Sequence, residues 1–265
     1  RSVSGIISQG GTILKTARCP EFFTDEGKER AFRTIQKHAI EGLVVIGGNG
    51  SFTAAHSFFQ KYHVPCIGIP ASIDNDINGI DATIGSDTAV NTALYAIDNI
   101  RDTATSMERI FVVEVMGRDS GYIALQVALA GGCENVIIPE LECNLEKICH
   151  DIVQGNLRGK ISWIIVVAEG AGSAQDIAKK ISEVTTLETR AITLGHIQRG
   201  GRPTAFSRTL ALHLSQAAVE ALLSGHVNKC VGLHCGKIQL VDFDTAIQKK
   251  VFEVRTFCDL IKILT

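Results

Sequence analysis

Two carboxylates and an amide stand where an apolar run ends. In PASIDNDI (Pro70–Ile77), Asp74, Asn75 and Asp76 follow the strand-like CIGI of Cys66–Ile69. A short Asp/Asn run is by itself an ordinary turn, because these side chains hydrogen-bond nearby backbone and tolerate unusual φ/ψ. Four other strand-like runs also end on polar or glycine-rich turns. Leu43–Ile46 leads into GGNGS (Gly47–Ser51), with a helix predicted from Phe52. Ile110–Val115 leads into MGRDSG (Met116–Gly121), Ile161–Ala168 into EG (Glu169–Gly170), and Ala191–Leu194 into GHIQRGG (Gly195–Gly201). In open α/β sheets, ligands bind beyond the carboxyl ends of the strands. Glycines let backbone approach a ligand closely, and a helix N-terminus offers free N–H groups to an anion. GGNGS alone is neither a P-loop nor a dinucleotide fingerprint, and a tight turn explains it equally well. Arg with His suits the dianion of a phosphate monoester. Carboxylates suit Mg²⁺ and proton abstraction from a hydroxyl. A glycine loop suits a polyphosphate. Together they describe transfer of a phosphoryl group to an alcohol that already carries a phosphate.

The elements that must position these residues alternate along the whole chain. The strand candidates, which also include Val136–Ile138, are rich in Val and Ile without polar alternation, as expected for strands covered on both faces. Between them, SDTAVNTALYAIDNIRD places Val90, Ala93, Leu94, Ile97 and Ile100 at helical spacing behind a Ser86/Asp87 cap, and Ala205–Leu223 reads as a second helix. Cys230–Asp242 reads as a hairpin turning at Cys235-Gly236. This pattern predicts an α/β fold with mainly parallel sheets. The 265 residues suffice for one large domain or two modest ones. With 45% hydrophobic and 20% charged residues and a net charge of −2, the chain is neither disordered nor suited to bulk binding of nucleic acid or membrane. The longest apolar runs, such as Trp163–Ala168, fall far short of a bilayer span, and the N-terminus has no signal-peptide layout. Eight cysteines occur without any C-x-x-C pair, and Cys143 and Cys149 are too loosely spaced for zinc. With Cys66 and Cys230 inside apolar runs, the expectation is reduced core thiols in a cytoplasmic protein.

GGTILKTARCPEF, LVVIGGNGS, PASIDNDI with DATIGSDTA, RDTAT, VVEVMGRDSGYIA, VVAEG and TRAITLGHIQRGGRPTAFSR run in this order from Gly10 to about Val241. They resemble the successive motifs of the bacterial ATP-dependent 6-phosphofructokinases. The resemblance implies a glycolytic kinase that moves the γ-phosphoryl of MgATP to the 1-hydroxyl of fructose 6-phosphate. It also implies two three-layer α/β/α domains with mainly parallel sheets. Residues 1–85 with 198–248 would bind nucleotide, and 86–197 with 249–265 the sugar phosphate. By resemblance, Asp74 is the general base, Asp76 lies by the metal, and Ser72, where the family usually has Thr, holds the phosphate in transfer. Arg118 stabilises that phosphoryl group. Arg18, Cys19, Gly48, Asn49, Gly50 and Ser51 match the ATP-contacting positions, and Asn49 and Asp76 the Mg²⁺ positions. Met116, Gly117 and Glu169 match residues that hold the sugar. Arg109, Arg190, His196 and Arg199 match the 6-phosphate cluster, with the equivalents of Arg109 and Arg190 reaching in from a neighbouring subunit. A homo-oligomer, commonly a tetramer, follows from that sharing. Arg101, Glu134, Arg158 and Lys160 match parts of an allosteric effector site.

Three departures stand out. The usual GGDGS is GGNGS, so Asn49 keeps the shape but loses a negative charge, which weakens hard-cation binding. The usual PGT is PAS; pyrophosphate-dependent relatives carry Lys in place of that glycine and Asp in place of Gly50. Here Ala71 has no charge, and Gly50 leaves room for ATP. The resemblance also implies a preceding segment, with a first strand and a second glycine loop, ahead of Arg1. A pyrophosphate-dependent enzyme and a catalytically weak regulatory subunit are the alternatives to the ATP-dependent kinase.

Overall fold

The computed structural model describes residues 3–264; residues 1, 2 and 265, which fall within the expected domain ranges, lie outside it. After turns and coil and a 3-10 turn at Pro20–Phe23 come α1 (Asp25–Lys37), β1 (Leu43–Gly47), α2 (Asn49–Tyr62), β2 (Cys66–Ser72) and β3 (Ile84–Gly85). Then follow α3 (Ser86–Met107), β4 (Ile110–Val115), α4 (Tyr122–Ala130), β5 (Asn135–Ile137), α5 (Leu145–Leu157), β6 (Trp163–Ala168), α6 (Ala174–Thr185) and β7 (Thr189–Thr193). A 3-10 turn, Gly195–Arg199, leads to α7 (Ala205–Leu223), β8 (Lys229–His234), β9 (Lys237–Asp242), α8 (Phe243–Ala246) and α9 (Val254–Leu264). The chain divides into two compact units: one runs up to Asp87 and includes Arg202–Val251, the other comprises Thr88–Gly201 and the chain from Phe252.

The first unit carries a sheet in the order β1-β2-β8-β9, with β3 paired to β2. All pairs are parallel except the β8–β9 hairpin. That hairpin turns through Cys235 and Gly236 at φ +49° and +74°, the backbone twist a two-residue hairpin favours. The sheet is covered on both faces. Cys66 and Cys230 pack under Phe52 and Ala55 of α2 and Phe243 and Ala246 of α8. The alternate residues Ile67, Ile69 and Val231 pack under Leu210, Leu214, Ala218 and Ala221 of α7. Alternation along a strand therefore feeds two cores and makes three layers. β1 is the exception to the expected double coverage. As an edge strand it leaves Val44 39% and Ile46 54% exposed among the described residues.

The second unit holds the parallel sheet β5-β6-β4-β7. All six residues of β6, WIIVVA, are buried, and each such Ile or Val contributes about 1.5–3 kcal/mol. Ile110, Val112, Ile165 and Val167 pack against α5 and α6 through Ile148, Ile152, Ala178 and Ile181.

Several boundaries differ from expectation for identifiable reasons. α2 starts at Asn49, not Phe52, because the Gly48 carbonyl accepts from the N–H groups of Ser51 and Phe52 and winds the glycine stretch into the first turn. β2 runs on to Ser72 because Ala71 and Ser72 pair with Ile84 and Gly85. β5 and β7 each begin earlier than their apolar runs, at Asn135 and Thr189, where the ladders place rungs against Ile165 and Ile110. β6 begins at Trp163 rather than Ile161, since Trp163 forms the first rung with Ile110 and Ile161 stays 42% exposed. The expected Ser86 cap is instead the first residue of α3, its hydroxyl donating to the Thr83 carbonyl.

All eight cysteines are free. Burial pushes the thiols of Cys66 up to about 11 and those of Cys133 and Cys230 up to about 12. A thiol reagent at pH 8 is therefore expected to modify the exposed Cys19, Cys143 and Cys235 in the native protein. Cys66, Cys133 and Cys230 should react only in denaturant, and mass mapping of the labelled peptides checks this.

Candidate active site

In the first unit, β1 and β2 are parallel neighbours whose last rung is Gly47 with Pro70, so the loops beyond them lie side by side. Gly48 faces Ser72; a Cβ added to it would sit 3.3 Å from the Ser72 Cβ. The first turn of α2, Asn49 to Ser51, has no capping side chain, which leaves N-terminal N–H groups to an anionic ligand. In the PASIDNDI turn, the Ser72 hydroxyl accepts from the Asp74 N–H and donates to Asp76 Oδ1, both at 3.3 Å. Asp74 is buried and Asp76 half-buried. Asn75 adopts the left-handed region at φ +50°, which Asn tolerates better than most residues. Its side chain donates to the Asp81 carbonyl at 3.0 Å. Lys250 Nζ donates to the carbonyls of Asn75 and Ile80 at 3.0 and 2.6 Å. Burial pushes the Lys250 ammonium down to about 8, against the pull of Asp81 and Asp76. Asn75 and Lys250 thus hold the turn, and the two carboxylates carry its charge.

The two loops carry two oxygen donors of the kind a hard cation takes. Asp76 offers a carboxylate and Asn49 an amide oxygen, and no group of three or more His, Cys, Asp or Glu that could hold a metal occurs among the described residues. Such a donor set fits Mg²⁺ where a polyphosphate supplies further oxygens. Arg18 and Cys19 occupy exposed positions ahead of the first 3-10 turn, outside the hydrogen bonds that join the two loops.

In the second unit, the loop Met116–Gly121 follows β4. Arg118, exposed, sits at φ +51°, unusual for a residue with a Cβ. Gly117, at φ +149°, could not carry a Cβ, which would meet the Ser120 carbonyl oxygen at 2.4 Å. Side chains from elsewhere accept the loop's N–H groups. Gln198 Oε1 takes Met116 N–H at 2.8 Å. Glu169 Oε1 takes Gly117 and Arg118 N–H at 3.2 and 2.9 Å. Glu140 Oε1 takes Gly121 N–H at 2.8 Å. Glu169, expected to hold sugar, is thus an anchor of the Arg118 loop in this state. Glu140 and Gln198 escaped the sequence reading. The available signal was their place: Glu140 follows β5 as Glu169 follows β6, and Gln198 lies inside the quoted GHIQRGG.

His196 and Arg199 lie exposed on the 3-10 turn that follows β7. Arg109 and Arg190 lie elsewhere, at the amino-terminal ends of β4 and β7, where Ile110 pairs with Thr189 and Phe111 with Arg190. Glu188 bridges that pair, with Oε2 2.9 Å from Arg109 Nε and Oε1 against Arg190. The hydrogen bond from Arg109, with help from Arg190, holds the Glu188 carboxyl below its usual range. Arg109 and Met116 bracket β4, and at about 3.3 Å per residue the strand separates them by roughly 20 Å. Within one chain, then, Arg109 and Arg190 do not converge with the residues at the other end of the sheet. Of the expected effector residues, Glu134 and Lys160 form a 3.0 Å ion pair, with Glu134 also accepting Ile164 N–H at 2.7 Å. Lys160 lies over the Trp163 ring. Arg101 donates to the carbonyls of Gly131 and Gly132, just before Glu134 in the chain, while Arg158 ends α5.

The EG turn has its own steric demand, because a Cβ on Gly170 would lie 1.9 Å from the Arg118 carbonyl oxygen. Gly170→Ala is expected to destabilise the protein by about 1–3 kcal/mol. Gly200→Ala, where a Cβ meets open space, should stay within about 0.5 kcal/mol. Urea unfolding of both variants checks the pair.

The chain matches the family model described as Phosphofructokinase over residues 1–222. It is 52% identical over 246 residues to an ATP-dependent 6-phosphofructokinase of Clostridium botulinum, covering 93% of this chain and 77% of that protein. It is 51% identical, with the same coverage, to one of Clostridium acetobutylicum. Among solved structures it superposes on phosphofructokinase from Saccharomyces cerevisiae with a TM-score of 0.85 and 33% identity, covering 93% of this chain and 37% of that one. A pyrophosphate-dependent phosphofructokinase from Marinobacter aquaeolei, 23% identical with a TM-score of 0.77 over 96% of this chain and 74% of that one, shares the fold. Family model, relatives and fold agree: the chain belongs to the phosphofructokinase family.

Proposed function

We infer that this protein is an ATP-dependent 6-phosphofructokinase, which converts fructose 6-phosphate and ATP into fructose 1,6-bisphosphate and ADP in glycolysis. The observation that carries the reading is the 52% identity to ATP-dependent enzymes over 93% of the chain. It is joined by the Ser72–Asp74–Asp76 turn lying beside the Gly48–Ser51 loop.

Each residue has a task in that reaction. The first unit would take the nucleotide: the amino end of α2 and Gly50 accommodate the polyphosphate, with Arg18 adding charge. The second would take the sugar phosphate. Asp74 accepts the proton of the 1-hydroxyl as its oxygen bonds to the γ-phosphorus and the bond to the β-phosphate oxygen breaks. A base so placed contributes about 10²–10⁴-fold. Ser72 steadies the phosphoryl group, and Arg118 offsets the charge spread over its equatorial oxygens. Met116, Gly117 and Glu169 orient the sugar. Asp76 and Asn49 would hold Mg²⁺, which when bound shields phosphate charge. His196 and Arg199 would bind the 6-phosphate. Arg109 and Arg190, at the amino-terminal ends of β4 and β7, would complete that cluster only in a neighbouring copy, so the reading calls for a homo-oligomer, a tetramer by family habit. Glu134, Lys160, Arg101 and Arg158 would form a reduced effector site. Eight free thiols fit a reducing, cytoplasmic setting, and no described helix is long and apolar enough to cross a membrane.

Two outcomes test the reading. With fructose 6-phosphate and Mg²⁺, the protein should turn over ATP and not pyrophosphate. Asp74→Asn should lower kcat by about 10²–10⁴-fold. Turnover with pyrophosphate alone would assign the pyrophosphate-dependent class, and an unaffected Asp74→Asn would remove the base. Separately, Asp74→Asn and Arg190→Ala, each inactive alone, should regain activity when unfolded and refolded together, because mixed oligomers contain sites that draw both intact residues from different copies.

A further inference from the structure

Gln198 is the most deeply buried residue of the turn that carries His196 and Arg199, at 1% exposure. A 3-10 turn has three residues per turn, so His196 and Arg199, three apart, share one face and Gln198 another. Both flanking side chains are exposed, while Gln198 reaches inward to Met116, the first residue of the Arg118 loop. A backbone N–H can only donate, so the amide oxygen must face it. The amide nitrogen is buried without a hydrogen-bond partner. The turn's base is fixed to the same strand, since the Leu194 N–H donates to the Glu114 carbonyl at 3.0 Å. Glu169 and Glu140 anchor the rest of the loop, but they come from segments that follow β6 and β5. Of these three side-chain anchors, Gln198 alone belongs to the turn bearing His196 and Arg199.

We propose that Gln198 is a positioning residue that ties the sugar-phosphate turn to the Arg118 loop. A phosphate held by His196 and Arg199 fixes the turn, the turn fixes Met116 through the amide oxygen, and Arg118 two residues on is set for the transferring phosphoryl group. The amide makes its bond through oxygen only, so an acceptor of the same length suffices. This inference rests on the kinase reading above, because it needs a substrate that carries both a phosphate and an acceptor hydroxyl.

The test compares Gln198→Met, similar in length but without an acceptor, with Gln198→Glu, which keeps one. Steady-state kinetics with fructose 6-phosphate and ATP are read beside thermal unfolding. For Gln198→Met, kcat should fall about tenfold, as expected when a buried N–H loses its acceptor, while KM for the sugar phosphate changes less than threefold. Gln198→Glu should recover kcat to within about threefold of the parent, by the same hydrogen-bond reasoning. A Gln198→Met enzyme with unchanged kcat, or with only KM raised, overturns the proposal. So does a folded Gln198→Glu enzyme as slow as Gln198→Met. If Gln198→Met does not fold, Gln198→Glu decides: parental kcat upholds the acceptor role, and a tenfold loss in a folded protein removes it. A parent protein with no activity on fructose 6-phosphate would defeat the kinase reading instead, a result separate from any difference between variants.

Discussion

Everything in the second unit's site depends on one constraint: a parallel strand that ends leaves backbone N–H groups with no rung to donate to. Buried, each such group costs about 1–3 kcal/mol if nothing accepts from it. The loop after β4 bends through left-handed conformations at Gly117 and Arg118, so its own carbonyls do little for it. Three side chains accept in their place: Gln198, Glu169 and Glu140. Arg118 can project from a strained backbone only because these groups over-determine the position around it. Polar residues at the strand ends therefore do two jobs. Some supply the site's charged groups, and others hold the backbone of those residues still.

The first unit solves the same problem with different chemistry. Its turn after β2 also places a non-glycine residue in the left-handed region, and the choice of Asn75 suits that backbone. Here the external anchor is a cation: Lys250 binds two carbonyls of the turn instead of a carboxylate binding its N–H groups. The difference follows from the charge each loop must present. A turn that carries the carboxylates of buried Asp74 and half-buried Asp76 is eased by the Lys250 ammonium behind it. A loop that exposes Arg118 is eased by carboxylates behind it. Lys250, Glu169 and Glu140 each oppose in sign the group they support, so they stabilise their loops electrostatically as well as through hydrogen bonds, while the neutral Gln198 acts through its hydrogen bond alone.

What the sequence made legible was local. The Val/Ile runs named the strands, the Cys235-Gly236 pair named the hairpin, and the apolar spacing of Ala205–Leu223 gave α7 at both ends. Boundaries moved where a ladder partner decided them, as at Ser72 and Trp163, since pairing with Gly85 and Ile110 is not written in the local pattern. The start of α2 moved because Gly48 caps with its carbonyl rather than a side chain. In the site, the residues proposed to touch substrate were visible by type and by resemblance. The anchors were not, for a physical reason. Lys250 is 175 residues from Asn75, and Gln198 is 82 from Met116. A hydrogen bond across such a separation leaves no periodicity to read.

The parallel sheet also limits what one chain can do alone. In β4 and β7 every carboxyl end lies on the same side, so whatever follows Val115 and Thr193 can share a ligand and whatever precedes Ile110 and Thr189 cannot. Arg109 precedes β4 and falls on the wrong side, roughly 20 Å from Met116 along the strand, and Arg190, paired with Phe111, sits one residue inside the same end of β7. They are nonetheless held as a pair, with Glu188 between them lowering their mutual repulsion. In this chain the carboxylate that the pair meets is that of Glu188. The other residues proposed for that recognition, His196 and Arg199, lie on the turn that follows β7, at the opposite end of the sheet. If both guanidiniums bind the sugar phosphate as proposed, strand direction, rather than any single contact, is what assigns them to a second copy's ligand.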